Sequence, residues 1–334
     1  MIGGEFSIPF TDFFKAPSLS RVEEETYHYA SGRAALYQIL KYLKFEKCVR
    51  RVLLPDYLCS SVLVPIKRLQ LDFEFYPIDE ALELEEKAFA ALYRTGTAIL
   101  VINYFGLKDL TKQIAFIRNF DKDAFIIEDD VQAYYEFKKP LGDVDFKYTS
   151  LRKTFAIPDG GLVKTNHPLP VFDCPSTFGQ YKAVAALMKS IREGNFDDSV
   201  YLDISKIGSS KIDDELDFSM SFISERLYAS TDDEEVKKRR QYNAKYLVNK
   251  LSERYLQFIL PVKEEKVPLF VPIYLNDRDE VRKRMFQHEV FCPVHWQFEG
   301  MPMKKGKEMA DHELSLIVDQ RYNEKDMDLI ISLL

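Results

Sequence analysis

The chain has 334 residues, 46% hydrophobic and 30% charged, enough apolar material for one large domain and a smaller one. A formal charge of −7 leaves no surplus of Lys and Arg to replace counterions, which argues against nucleic acid as a partner. Cys48, Cys59, Cys174 and Cys292 show no C-x-x-C spacing and read as reduced thiols, not as a disulfide or zinc framework. The first residues carry no basic and apolar signal pattern, and no apolar run approaches the length of a membrane span. The expectation is a cytoplasmic protein with no membrane partner.

Residues 1–25 are aromatic and acidic without a clear period. Ile2-Gly3-Gly4-Glu5-Phe6 reads either as an arm packed on another subunit or as a frayed terminus. Ser31 then caps a helix in which Leu36, Ile39, Leu40 and Leu43 recur at helical spacing. The first turn of such a helix, Gly32-Arg33-Ala34, exposes free N–H groups and is a ready anion site. Val52-Leu53-Leu54-Pro55 reads as a buried strand, with Tyr57 and Cys59 on its exit loop. The segment 73–79 alternates as a strand. The run 97–104, TAILVINY, is a central strand ending near Asn103, and a helix over 109–120 follows.

The densest chemistry lies over 124–161. A short strand, Phe125-Ile126-Ile127, ends in Glu128, Asp129 and Asp130, with Gln132 just beyond. Ser150-Leu151-Arg152-Lys153 comes next, closed by the turn Pro158-Asp159-Gly160-Gly161. A carboxylate at a strand's carboxyl end stands where open α/β sheets place ligands. A lysine on a following loop can reach the same crevice. A pyridoxal phosphate site needs that pair, a lysine for the Schiff base and an acid for the pyridine nitrogen.

Farther on, 181–192 reads as a helix and 194–203 as a polar, acidic connection. A helical pattern runs over 218–251, where Asp232-Asp233-Glu234-Glu235 precedes Lys237-Lys238-Arg239-Arg240. That order suits the helix dipole and reads as a solvated face. Strands at 269–274 and 290–296, a helix over 278–287 and a closing helix over 323–334 complete a βαβ-like unit. Strands alternating with helices predict an α/β fold with a mainly parallel sheet. The expected division is an arm and large domain over 1–217, then a helix and small carboxyl-terminal α/β domain over 218–334.

Ile126-Ile127-Glu128-Asp129-Asp130-Val131-Gln132, and Lys153 seven residues before Gly160-Gly161, resemble the DegT/StrS (DegT/DnrJ-type) sugar aminotransferases, fold-type-I pyridoxal phosphate enzymes. The resemblance implies that Lys153 forms the Schiff base, that Asp129 partners the pyridine nitrogen and that Gln132 lies against the cofactor ring or its oxygen. By the same resemblance, Gly32, Arg33 and Ala34 hold the phosphate with Ser150. Tyr57 or a nearby aromatic covers the ring, and Asn103 is a further cofactor contact. Arg33 stands where relatives have a small hydroxyl residue. Tyr148 stands where many carry the phosphate-binding serine. His295 and Trp296 fall in a segment that relatives turn toward substrate. The implied activity transfers an amino group from a small-molecule donor to a keto-sugar, nucleotide-linked in many relatives, in surface polysaccharide or secondary metabolite biosynthesis. The implied assembly is a homodimer.

Other readings stay open at this point. Ser150-Leu151-Arg152-Lys153 also fits the S-x-x-K signature of serine acyl enzymes, but only Lys164-Thr165-Asn166 partly matches the further motif those enzymes carry. Glu128, Asp129 and Asp130 could instead hold magnesium for phosphoryl or glycosyl transfer, which leaves the Lys153 spacing unexplained. A chain that binds the cofactor but has another activity, or none, is a third alternative. Bland readings also exist for Tyr57 as a structural ring and for His295 as a packed one.

Overall fold

The computed structural model describes residues 1–16, 26–191, 197–251, 259–296 and 304–334. Its strands are β1 (Ile2–Gly3), β2 (Thr26–Tyr29), β3 (Arg51–Pro55), β4 (Asp72–Tyr76), β5 (Thr97–Ile102) and β6 (Phe125–Asp129), then β7 (Phe146–Ser150), β8 (Gly161–Thr165), β9 (Phe270–Tyr274), β10 (Val290–Phe291) and β11 (Glu313–Ile317). The helices are α1 (Gly32–Glu46), α2 (Leu63–Arg68), α3 (Glu86–Leu92), α4 (Thr111–Phe120), α5 (Tyr134–Phe137), α6 (Leu151–Thr154) and α7 (Thr177–Ser190). They continue with α8 (Asp198–Lys211), α9 (Phe222–Ser230), α10 (Asp233–Lys250), α11 (Arg278–Gln287), α12 (Lys304–His312) and α13 (Glu324–Ser332).

Seven strands form one sheet in the order β2-β8-β7-β6-β5-β3-β4. Strands β7, β6, β5, β3 and β4 run parallel, with β4 at the edge, while β8 and β2 close the other side antiparallel. Strand β5 is buried at every residue, as a parallel strand covered on both faces must be. Because these strands run the same way, their carboxyl ends open on one edge, and the register pairs Ile102 with Asp129 there.

Helix α1 forms as its sequence pattern requires. Ser31 is extended, and its Oγ accepts from the Ala34 N–H at 3.1 Å, while Leu36, Ile39, Leu40 and Leu43 are buried. The helix packs against β2, β7 and β8.

A second core gathers β9, β10, β11, α10, α11 and α13, and Ile2 of the amino-terminal segment belongs to it. Strand β9 pairs antiparallel with β11, whereas β10 pairs in parallel with β1. Only Val290–Phe291 of the expected strand over 290–296 is in a ladder, and its partner is the amino terminus, so this unit is no βαβ. The amino-terminal segment folds onto its own chain. Phe6 lies under the Arg321 guanidinium at 4.3 Å, and Ile8 is buried. The connection expected over 194–203 is occupied from Asp198 onward by helix α8, which packs on α7. The helical run over 218–251 is broken into α9 and α10, with Asp232 capping the second by accepting from Glu235 N–H at 3.0 Å.

Candidate active site

The edge where β5, β6 and β7 end carries a cavity of about 150 Å³. Gly32, Asp129, Gln132, Tyr148, Ser150 and Lys153 line it, with Cys59 and Trp296 among the remaining walls. The Gly-Gly pair after the lysine explains how helix and lysine segment meet. At Gly161 a Cβ would stand 2.1 Å from the Ser31 carbonyl oxygen, so only glycine lets β8 pass the start of α1. Gly160, with φ of +111°, donates its N–H to the Ala30 carbonyl at 2.8 Å.

Asp129 ends β6 and is 6% exposed. Its Oδ1 accepts from the Val131 N–H at 2.9 Å, and its Oδ2 accepts from the Tyr148 hydroxyl. Burial raises its carboxyl to about 6, and the two hydrogen bonds and the Lys153 charge oppose that rise. Tyr148 is therefore the residue that orients Asp129. No periodicity marks it in the sequence, because every residue of β7 is buried.

Lys153 is on the short helix α6, just past β7. Its side chain is open to the cavities it borders, while the protein encloses it at longer range. That enclosure, and then the charge of Arg152, hold its ammonium below the ordinary lysine value; Arg33 adds to this and Cys59 opposes it. A lysine so placed releases its proton more readily than an exposed one.

The phosphate end of the expected site is built as a cradle. A Cβ on Gly32 would meet the Ser150 Cβ at 3.2 Å, so the first turn of α1 and the end of β7 touch. The N–H groups of Gly32 and Arg33 have no carbonyl four residues back within the helix. The Arg33 side chain lines the cavity and also pairs with Asp213. Ala34 is turned the other way, spending its N–H on Ser31 Oγ, and does not line the cavity. Gln132 lines it, with Oε1 accepting from the Phe105 N–H at 3.0 Å.

Like Ala34, Tyr57 and Asn103 do not line the cavity. Tyr57 is buried, its hydroxyl donating to the His295 carbonyl at 2.6 Å and its ring packed on Tyr104 and Trp296. Cys59 and Trp296 line the cavity where that ring was expected. Asn103 is buried behind the wall that Ile102 forms, and its backbone N–H donates to the Asp129 carbonyl at 3.0 Å. His295 is a packed histidine, its Nδ1 2.8 Å from Ser315 Oγ and its N–H donating to Glu313 at 2.6 Å.

The three acids at the end of β6 do not share one site. Glu128 pairs with Lys147 at 3.3 Å, both buried. Asp130 is fully buried, and neither of its oxygens accepts a hydrogen bond; burial and the adjacent Glu128 raise its carboxyl well above the ordinary range, favouring the neutral acid. Only Asp129 of the three lines the cavity. No group of three or more His, Cys, Asp or Glu able to hold a metal is found among the described residues.

No family model and no curated protein matches the chain. Among solved structures it is similar to the putative sugar aminotransferase Spr1654 from Streptococcus pneumoniae in its PMP form, at 16% identity over 99% of this chain and 98% of that one, with a TM-score of 0.67. It is similar to the sugar aminotransferase CalS13 from Micromonospora echinospora at 18% identity, covering 92% and 86% of the two chains, with a TM-score of 0.63. DesI, solved in the presence of its TDP-sugar product, is 15% identical over 92% of this chain and 79% of that one, with a TM-score of 0.63. The chain has the fold-type-I architecture of these aminotransferases, as its sequence motifs led us to expect.

Proposed function

We propose that the chain is a pyridoxal-phosphate-dependent aminotransferase of the DegT/StrS type, moving an amino group from a small-molecule donor to a keto-sugar. The carrying observation is that Lys153 and Ser150, Asp129, and the first turn of α1 converge on one cavity although they come from three places in the chain. The residues present fit the cofactor. A buried carboxylate faces the cavity, free helix-end N–H groups and a serine meet at one side, and a lysine with a depressed ammonium borders it. In this reading Gly32, Arg33 and Ser150 hold the phosphate, Asp129 the ring nitrogen and Lys153 the aldehyde carbon.

The cofactor, when bound, supplies an electron sink for charge left on carbon. The chain's residues do the rest. Asp129, oriented by Tyr148, holds a proton at the ring nitrogen. Lys153 would hold the cofactor and, once its amine is free, would take a proton from the donor's carbon as a general base. Trp296 and Cys59 wall the site against water. Nucleotide-linked keto-sugars are the acceptor class to test first, since one protein of this fold was solved with a TDP-sugar product. A homodimer in the cytoplasm is part of the same reading; among the described residues no helix is long and apolar enough to cross a membrane.

The test is borohydride reduction of the protein with added pyridoxal phosphate, followed by peptide mapping. The pyridoxyl group is expected on Lys153, with loss of visible absorbance on reduction. Labelling at another lysine, or none, would overturn the assignment. The magnesium alternative loses ground because Asp130 and Glu128 are turned away from the cavity.

A further inference from the structure

Arg33 is the second residue of α1, and it stands between two openings. It lines the cofactor cavity and also a neighbouring groove of about 250 Å³, whose walls include Ser60, Lys67 and Asp213. A guanidinium at the amino end of a helix meets the positive end of the dipole, an unfavourable place until an anion joins it. Asp213 is one such anion, pairing with Arg33 Nη1. Among the described residues, Nε and Nη2 of Arg33 donate to nothing.

An ion pair between two partly exposed side chains is ordinarily worth little. This one differs because Asp213 stands on a fastened segment. Ile212-Asp213-Asp214-Glu215-Leu216-Asp217 follows α8, and every acid in it has a partner. Asp214 pairs with Arg68 at 3.0 Å, and the same Arg68 Nη2 donates to the Asp213 carbonyl at 3.2 Å. Glu215 accepts from the Thr177 and Phe178 N–H groups at 2.8 and 3.2 Å, closing the start of α7. Asp217 accepts from Gln38 at 2.9 Å and from Lys41 at 2.8 Å, and Gln38 also donates to the Leu216 carbonyl at 2.8 Å. The segment is thus tied to α1, α2 and α7, and Ile212 at its head lines the cofactor cavity. A carboxylate on such a mount decides where the guanidinium paired with it goes.

We propose that Asp213 is a positioning residue for the cofactor phosphate. By engaging Nη1 it holds Arg33 at the junction of groove and cavity, and it leaves the Nε–Nη2 edge for two parallel hydrogen bonds to a phosphate. A small hydroxyl side chain would need no such support. A long arginine does, because otherwise it gives up its rotamer freedom at the moment of binding. The assignment rests on the aminotransferase reading and deepens it.

The test compares pyridoxal phosphate with pyridoxal, which lacks the phosphate, by absorbance titration of the full chain. Asp213 is partly exposed, so its variants should fold. D213N should weaken pyridoxal phosphate about tenfold, the order of one charge-assisted hydrogen bond, and leave pyridoxal binding as in wild type. D213E should recover part of the loss, and in an R33Q background D213N should add little. An equal loss for both compounds would mean a merely structural role. Unchanged or tighter pyridoxal phosphate binding in D213N would mean that Asp213 is idle or competes with the phosphate. Either result overturns the proposal. Borohydride labelling of Lys153 in wild type, with no effect of D213N, removes only the Asp213 assignment. Inorganic phosphate, titrated calorimetrically, needs no lysine. If it binds wild type and is weakened about tenfold in D213N while Lys153 takes no label, the cofactor reading falls and the phosphate site at Arg33 and Asp213 stands. A wild type that binds none of the three compounds overturns both.

Discussion

A carboxylate kept dry at the end of a strand is costly until a cation meets it, and Asp129 shows that cost in its titration. Folded, it takes up its proton near pH 6; the ordinary value is 3.8. Between those values the folded chain binds the proton more tightly than the unfolded one. Stability therefore falls as pH rises from about 4 to about 6 and is level above. Asp129→Asn removes this penalty. Without cofactor, the variant should be more stable than wild type at pH 8, by an amount on the order of 3 kcal/mol, and the gain should vanish near pH 4. With cofactor the order should reverse, because a neutral amide does not hold the pyridinium and the cofactor's stabilisation is lost. Chemical denaturation across pH 4 to 8 checks both. A gain that is flat with pH would mean that Asp129 is not the titrating group.

Asp159, in the turn that follows Lys153, does the equivalent work for whole elements. It is fully buried, and its carboxylate accepts from Ser176 Oγ at 2.5 Å, from Ser221 N–H at 2.9 Å and from Ser221 Oγ at 2.8 Å. Ser176 and Ser221 are the caps of α7 and α9, so one side chain ties both helix starts to the lysine segment. Asp159→Ala strands these donors and should cost roughly 3 kcal/mol in urea unfolding, with cofactor affinity lowered as well. A loss under about 0.5 kcal/mol, the size of an ordinary surface change, would show that the cluster relaxes without it. Elements of this kind mark the limit of sequence reading. Helix α1 and strands β3, β5 and β6 were legible because each carries a local pattern, and Asp129 and Lys153, singled out by motif, line one cavity. The partners of Asp159 lie 17 to 65 residues away and leave no local trace. Arg240 was misread as part of a solvated face. Its phase with buried Val236, Asn243, Ala244 and Leu247 was the available signal, overridden by the charge run around it. Strand β11 and the pairing of β1 with β10 were missed because strand pairing is decided by contacts far apart in sequence.

At the scale of the whole molecule, several of the exposed apolar side chains among the described residues lie on neighbouring elements. Phe10 and Phe14 are 59% and 70% exposed, on a short 3₁₀ segment that packs beside α9, and Phe222, the first residue of α9, is 76% exposed. The paired helices α7 and α8 add exposed Val184, Val200 and Ile207, and Ile191 follows just past α7. Rings of this size gathered beside one helix ask for cover, and a two-fold copy is the commonest way a chain supplies it. The cover is not needed by β1, which already pairs with β10 of its own chain, nor by Ile8, which is buried. The expected arm thus divides into a self-docked strand and a short apolar segment free to meet a neighbour. We predict a dimer by light scattering at low micromolar concentration, and dissociation when Phe14→Asp and Phe222→Asp are combined. Both residues are exposed in the single chain, so the double variant should melt near the wild-type monomer's own stability and not unfold. Removing residues 1–20 is a poorer test, since it also deletes β1 and Glu5. If each active site is completed by the neighbouring chain, the monomeric double variant should lose amino transfer while still taking the borohydride label on Lys153. A wild-type chain that is monomeric and fully active would defeat the shared site. A dimer that survives both aspartates would place its interface on another face.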